Sequence, residues 1–226
     1  MSDAVTFHSG IAERFEGAYA VSPAFRERLL LWSAMIERYG RAGMRVLDAG
    51  CGPGLIAAQA ARAASHVLAF DASPAMVSRA RANLPDRVEC VIGRLETLDF
   101  GPRPFDLVLA SSLLEYCDPF WPAFDRLLGA LAPEGTLLVS LPNDASRYRK
   151  VESAIFRLTG HPRYRAHLGH VPSRGALERG LAERQLSVES TTFYGAAAYL
   201  PAWLRPHLPP QLTGTLVLFA IRRVGP

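Results

Sequence analysis

Lysine is nearly absent from this sequence: Lys150 is the single one among 25 Lys+Arg residues, so the basic side is almost entirely arginine. That bias is as compatible with genome composition as with a partner. Cysteine is scarce too. Cys51, Cys90 and Cys117 are far apart and odd in number, which argues against a disulfide framework and against a zinc site. No metal is expected. No run of 18 apolar residues occurs, so no membrane span is expected. Met1-Ser2-Asp3-Ala4-Val5 holds no basic region leading into an apolar stretch, so no secretion signal is read and a cytoplasmic location is expected. Internal repeats and low-complexity tracts are missing as well.

What is present suffices for one large domain: 226 residues, 49% of them hydrophobic. The charge is uneven. Residues 143–226 carry 12 Lys+Arg against 5 Asp+Glu, while residues 1–142 carry 13 against 16. A basic C-terminal part suits either a solvated helical face or an anionic substrate or nucleic acid.

One stretch organises the chain. Arg45-Val46-Leu47 reads as a buried strand, Gly50, Gly52 and Gly54 as a tight turn, and the Ala-rich run from Leu55 as a helix. Such a bend offers bare backbone to a ligand. An acidic residue about 20 positions on would hold ribose hydroxyls, and Asp71 stands 17 after Gly54, closing the run Val67–Phe70. The alternative role for Asp71 is a helix cap ahead of Pro74.

Alternation continues. Ser22-Pro23 starts a helix reaching Tyr39, after a weaker helical pattern over residues 6–20. Strands are predicted at 46–49, 66–71, 88–92, 105–110, 136–141, 186–193 and 215–222, with helices at 55–64, 74–83, 121–131 and 173–184.

The pattern Asp48-x-Gly50-x-Gly52-x-Gly54 differs from the dinucleotide spacing G-x-G-x-x-G, which disfavours an NAD-dependent oxidoreductase. It resembles the first motif of the class I S-adenosylmethionine (SAM)-dependent methyltransferases, and more narrowly the quinone-methyltransferase-like, small-molecule "type 11" group. Phe105-Asp106-Leu107-Val108 resembles that family's F-D-x-V strand, and Leu131-Ala132-Pro133-Glu134-Gly135 its L-x-P-G-G turn, with Glu134 in place of one glycine. The resemblance covers residues 40–142 well and 173–222 loosely.

That resemblance implies an α/β, Rossmann-like seven-stranded sheet, mostly parallel with the last strand antiparallel and helices on both faces. It implies a single methyltransferase domain over 1–226. Residues 1–42 would form a helical lid, 43–142 the cofactor-binding core, and 143–172 and 194–212 insertions around the acceptor pocket. SAM would be the cofactor, held by Asp48, Ala49, Gly50, Gly52, Asp71, Ala72, Met76, Leu95, Ala110 and Ser111. Met76 is equally a core residue. Arg94 stands where the family often has an adenine-binding Asp, and arginine accepts no hydrogen bond, so that contact would pass to the Leu95 backbone or to Glu96.

Methyl transfer needs alignment of the acceptor, supplying about 7–11 kcal/mol, and for some acceptors a base, supplying about 10²–10⁴-fold. Glu115 is one candidate for catalysis or for orienting the cofactor. His167 and His170, in a stretch resembling the H-x-x-H/F-x-x-S/T segment of small-molecule relatives, are the others, unless they are structural loop histidines. Tyr19 and His8 are secondary candidates. The expected reaction is methyl transfer to a hydroxyl or carboxyl oxygen of a small-molecule acceptor. A nucleic-acid or protein methyltransferase and a non-catalytic SAM-binding module are the alternatives. Ser111-Ser112-Leu113-Leu114 stands where amino-directed DNA enzymes carry N-P-P-Y, so no nucleic-acid partner is expected.

Overall fold

In the computed structural model, which describes residues 2–225, two helices precede the first strand. These are α1 (Ser2–Val21) and α2 (Pro23–Tyr39). Pro23 begins the second, where its missing N–H has no intrahelical partner to lose. The chain then runs β1 (Arg45–Ala49), α3 (Leu55–Ala60), β2 (His66–Asp71), α4 (Pro74–Asn83), β3 (Glu89–Ile92) and β4 (Phe105–Ser111). It continues through α5 (Phe120–Ala130), β5 (Leu131–Pro142), α6 (Arg147–Thr159), α7 (Arg174–Glu183), β6 (Leu186–Tyr194), α8 (Pro210–Thr213) and β7 (Leu216–Arg223).

The seven strands form one sheet in the order β3-β2-β1-β4-β5-β7-β6. Strands β1 to β5 pair parallel, and β7 runs antiparallel to both β5 and β6. This is the Rossmann-like seven-stranded sheet that the methyltransferase resemblance implies. Side chains alternate across it. Leu47, Ala49, Val108 and Ala110 pack with Phe120, Phe124 and Leu127 of α5 and Leu177 and Leu181 of α7. Val46, Leu107 and Leu109 pack with Trp32 and Ile36 of α2, Ile56 and Ala60 of α3 and Val77 and Ala80 of α4. Burial on both faces is why the central strands read as continuous apolar runs.

Three boundaries depart from the sequence pattern for local reasons. Helix α3 ends at Ala60 rather than Ala64, because Gly43 N donates to Ala63 O and Ser65 N to Met44 O, pulling the chain back beside β1. Strand β5 begins at Leu131, which pairs with Phe105 before the register breaks and resumes at Thr136. The segment 143–172, without predicted structure, contains the helix α6, started by Ser146, whose side chain accepts from Arg149 N, and ended by Gly160 at φ +70°.

Strand β1 has β2 on one side and β4 on the other, so the connections diverge at its carboxyl end. In an open α/β sheet that divergence leaves a crevice beyond the strand ends.

Candidate active site

The bend after β1 fills this crevice with backbone. Its start is tied to the neighbouring strand, Cys51 N donating to Phe70 O at 2.9 Å. Two of its glycines do different work. At Gly54 (φ +82°) an added Cβ would come within 3.1 Å of the Ala80 backbone, so this residue lets α4 pack against the bend. At Gly52 (φ +53°) an added Cβ would meet nothing nearer than Phe15, at 3.9 Å, so this one leaves the backbone open to the crevice. Gly52 N donates to Asp71 Oδ2 at 3.0 Å, and Ser73 N to Asp71 Oδ1 at 2.8 Å. The cap of α4 is Ser73, whose hydroxyl accepts from Met76 N. Asp71 is thereby placed between bend and helix with its carboxylate on a cavity wall, where burial pushes its pKa up.

The cavity holds about 450 Å³ along the carboxyl edge of the sheet. Strand order distributes its walls. Beyond β2 and β3 lie Asp71, Ala72, Met76, Gly93, Arg94 and Leu95; beyond β1 and β4 lie Asp48, Gly50, Gly52 and Ser111. Beyond those come Glu115 and Tyr116, and then Tyr148, Arg149, Glu152 and Tyr164 from and after α6. Helices α1 and α2 contribute His8, Phe15, Tyr19, Phe25 and Arg28.

Two buried carboxyls face this space without a full set of partners. Asp48 is 1% exposed, and its Oδ2 has no hydrogen-bond partner among the described residues. Burial, then the neighbouring Asp71 charge, push its pKa up to about 7 against the pull of Arg28. Glu115 is 4% exposed with Oε2 unpartnered, and burial pushes it up to about 7 against Arg149 and Arg28. Burial also raises the Tyr116 phenol, so it stays neutral. Arg28 reaches across from α2 to the end of β4, donating to Ser111 Oγ at 3.1 and 2.7 Å and to the Ser111 carbonyl at 2.9 Å. Glu152 is already satisfied by Tyr164 (2.6 Å) and Arg165 (3.0 Å).

Most of the residues singled out in the sequence for the cofactor converge here, as does Glu115. Ala49 and Ala110 instead lie within the sheet layer packed on α5 and are not on the wall. His167 and His170 are not brought to it either. The His167 ring packs at 4.8 Å on Phe7 of α1, and His170 is exposed. His8 and Tyr19 do reach the wall, His8 with Nδ1 bonded to Ala4 O and its ring edge-on to Tyr116 at 4.8 Å. Arg94 pairs with Glu96 at 3.7 Å, and the Leu95 carbonyl accepts from Arg126. Of residues 194–212, Ala198 lines the cavity, whereas Trp203 is 72% exposed. Arg28 was not foreseen. Its signal was a cation inside an apolar helical stripe, three residues after Phe25 and four before Trp32.

The sheet order is that of the class I SAM-dependent methyltransferase fold, and the glycine bend with an acidic residue one strand over resembles that family's cofactor site. Residues 46–135 match the model of a family described as a methyltransferase domain. Over 102 residues the chain is 34% identical to the trans-aconitate 2-methyltransferase of an Escherichia coli strain, a match covering 44% of this chain and 39% of that relative. The chain therefore aligns with less than half the length of that enzyme. Among solved structures, a SAM-dependent methyltransferase from Mesorhizobium loti superposes with a TM-score of 0.63 at 24% identity, covering 86% of this chain and 96% of that one. Magnesium protoporphyrin IX methyltransferase from Synechocystis PCC 6803, with bound S-adenosylhomocysteine, superposes with a TM-score of 0.71 at 16% identity over 96% of each chain.

Proposed function

We propose that this protein transfers the methyl group of SAM to a hydroxyl or carboxyl oxygen of a small-molecule acceptor by in-line displacement. The observation that carries this reading is the single cavity lined both by the open Gly52 backbone with Asp71 and by the buried Glu115 carboxyl. That cofactor, when bound, supplies a methyl carbon activated by its sulfonium.

The residues fit such a guest. Asp71 keeps acceptor capacity for two ribose hydroxyls beyond the backbone N–H groups it holds. Asp48, with an orphaned oxygen, is a partner for an ammonium group, and Arg28, steadied by Ser111, for a carboxylate. Met76 and Leu95 flank the place for an adenine ring. Helices α1 and α2 act as the lid that keeps water out, and α6 with its following turn forms the acceptor side. Glu115, with a pKa near the working pH, takes the proton of a hydroxyl acceptor. An acceptor that is already a carboxylate has no proton to give, and Glu115 then takes none. The trans-aconitate 2-methyltransferase relatives support a small-molecule acceptor.

Calorimetry with S-adenosylhomocysteine tests the reading. Micromolar binding is expected, weakened by about 10–100-fold in Asp71→Asn, which loses charge-assisted hydrogen bonds. No heat with either SAM or S-adenosylhomocysteine, alongside measurable NAD binding, refutes it.

A further inference from the structure

Helix α6 has two working faces. Tyr148, Arg149 and Glu152 look into the cavity. The flank of the helix next to these residues is open: none of the thirteen residues of α6 is buried, and Val151, Ile155 and Leu158 are 59%, 48% and 86% exposed. Their spacing of four and three residues sets them in one stripe. Beside it stand Arg147, Lys150 and Arg157, all exposed, none of them in an ion pair among the described residues. The helix's one acid, Glu152, is turned inward onto Tyr164 and Arg165. The free side of α6 is therefore apolar along the edge next to its cavity-facing residues and cationic along the other edge.

We propose that α6 docks the protein on an anionic lipid surface, with Val151, Ile155 and Leu158 entering the headgroup boundary and Arg147, Lys150 and Arg157 over lipid phosphates. An apolar stripe with a basic flank is what an interfacial helix requires, and it needs no membrane span. Charge complementarity selects this occupant, since a second copy of the chain would set the cationic rims against each other. Because the inner face of the same helix lines the cavity, docking sets the acceptor side of the site against the lipid, where an apolar acceptor would be dissolved.

Cosedimentation of the full chain with vesicles decides the matter. Binding to vesicles containing roughly one third phosphatidylglycerol is expected to exceed binding to pure phosphatidylcholine by at least about tenfold and to fall as salt rises. Ile155→Glu with Leu158→Glu, and separately Lys150→Glu with Arg157→Glu, are each expected to remove about tenfold or more of it. Both double variants change exposed side chains outside the cavity, so their melting temperatures and S-adenosylhomocysteine affinities are expected to stay at wild-type values. Equal retention by neutral and anionic vesicles, no retention at all, or unchanged retention of both variants overturns the proposal. So does a concentration-dependent dimer in light scattering that the Ile155→Glu, Leu158→Glu variant abolishes, which would assign the face to a second copy.

Discussion

Single residues separate stability from binding at the bend. Gly54→Ala meets the backbone of α4 at 3.1 Å and carries a left-handed φ, so it is expected to cost about 1–3 kcal/mol of stability. Gly52→Ala meets open space, so its stability loss is limited to about 1 kcal/mol of backbone strain. Its methyl enters the crevice instead, and S-adenosylhomocysteine affinity is expected to fall by tenfold or more, about 1.4 kcal/mol. Thermal melts and calorimetry on the two variants give opposite rankings if the two glycines have the separate jobs described. Glu115 has its own signature. Its pKa rises from 4.5 to about 7 on folding, so across that window the folded chain holds a proton that the unfolded chain has released. Stability thus falls as pH rises through the window. Glu115→Gln removes this slope and is expected to raise stability at pH 7 by about 1–3 kcal/mol. The same variant is expected to lower kcat on a hydroxyl acceptor by about 10²–10⁴-fold while leaving S-adenosylhomocysteine binding intact.

At the level of elements, α1 is held over the cavity by polar ties to α4 rather than by a large apolar face: Ala12 is its one buried residue among those described. Glu16 accepts from Asn83 at 2.6 Å and pairs with Arg79, and Ser9 shares a hydrogen bond with Ser73. The bonds from Asn83 and Arg79 hold the Glu16 carboxyl below its ordinary 4.5, so this tie is present above that value and lost as pH falls through the lowered one. Glu16→Gln is expected to speed hydrogen exchange of the α1 amides and weaken cofactor binding several-fold, with exchange in α4 and the sheet unchanged. Elements also explain what the sequence disclosed. Asp48, Gly52 and Asp71 belong to one strand–helix–strand unit, where spacing along the chain nearly fixes spacing in space. Arg28, Glu115, Arg149 and Tyr164 come from separate elements, and their meeting depends on how α2 and α6 pack. His167 shows the reverse: its motif spacing suggested chemistry, but the contact with Phe7 places it outside the cavity. Helix α6 itself was legible in principle, since Ser146 and Gly160 mark its ends.

For the molecule as a whole, the cavity gathers Asp48, Asp71 and Glu115 around one space, two of them with pKa values near 7. A sulfonium and an ammonium arriving among them favour ionised carboxylates. SAM binding near pH 7 is therefore expected to release protons, read as binding heats that vary with the ionisation enthalpy of the buffer. S-adenosylhomocysteine, which lacks the sulfonium charge, is expected to release fewer.

The order of the sheet has a consequence for synthesis. Strand β7 sits between β5 and β6, and β6 is the edge strand among the described residues. A nascent chain that has emerged through Tyr194 carries a finished strand with no berth, and the flank of β5 stays bare until Leu216–Arg223 leaves the ribosome. The emergence of β7 is thus the step that closes the sheet, and a product stalled or clipped ahead of it would present unpaired strand edges to its surroundings.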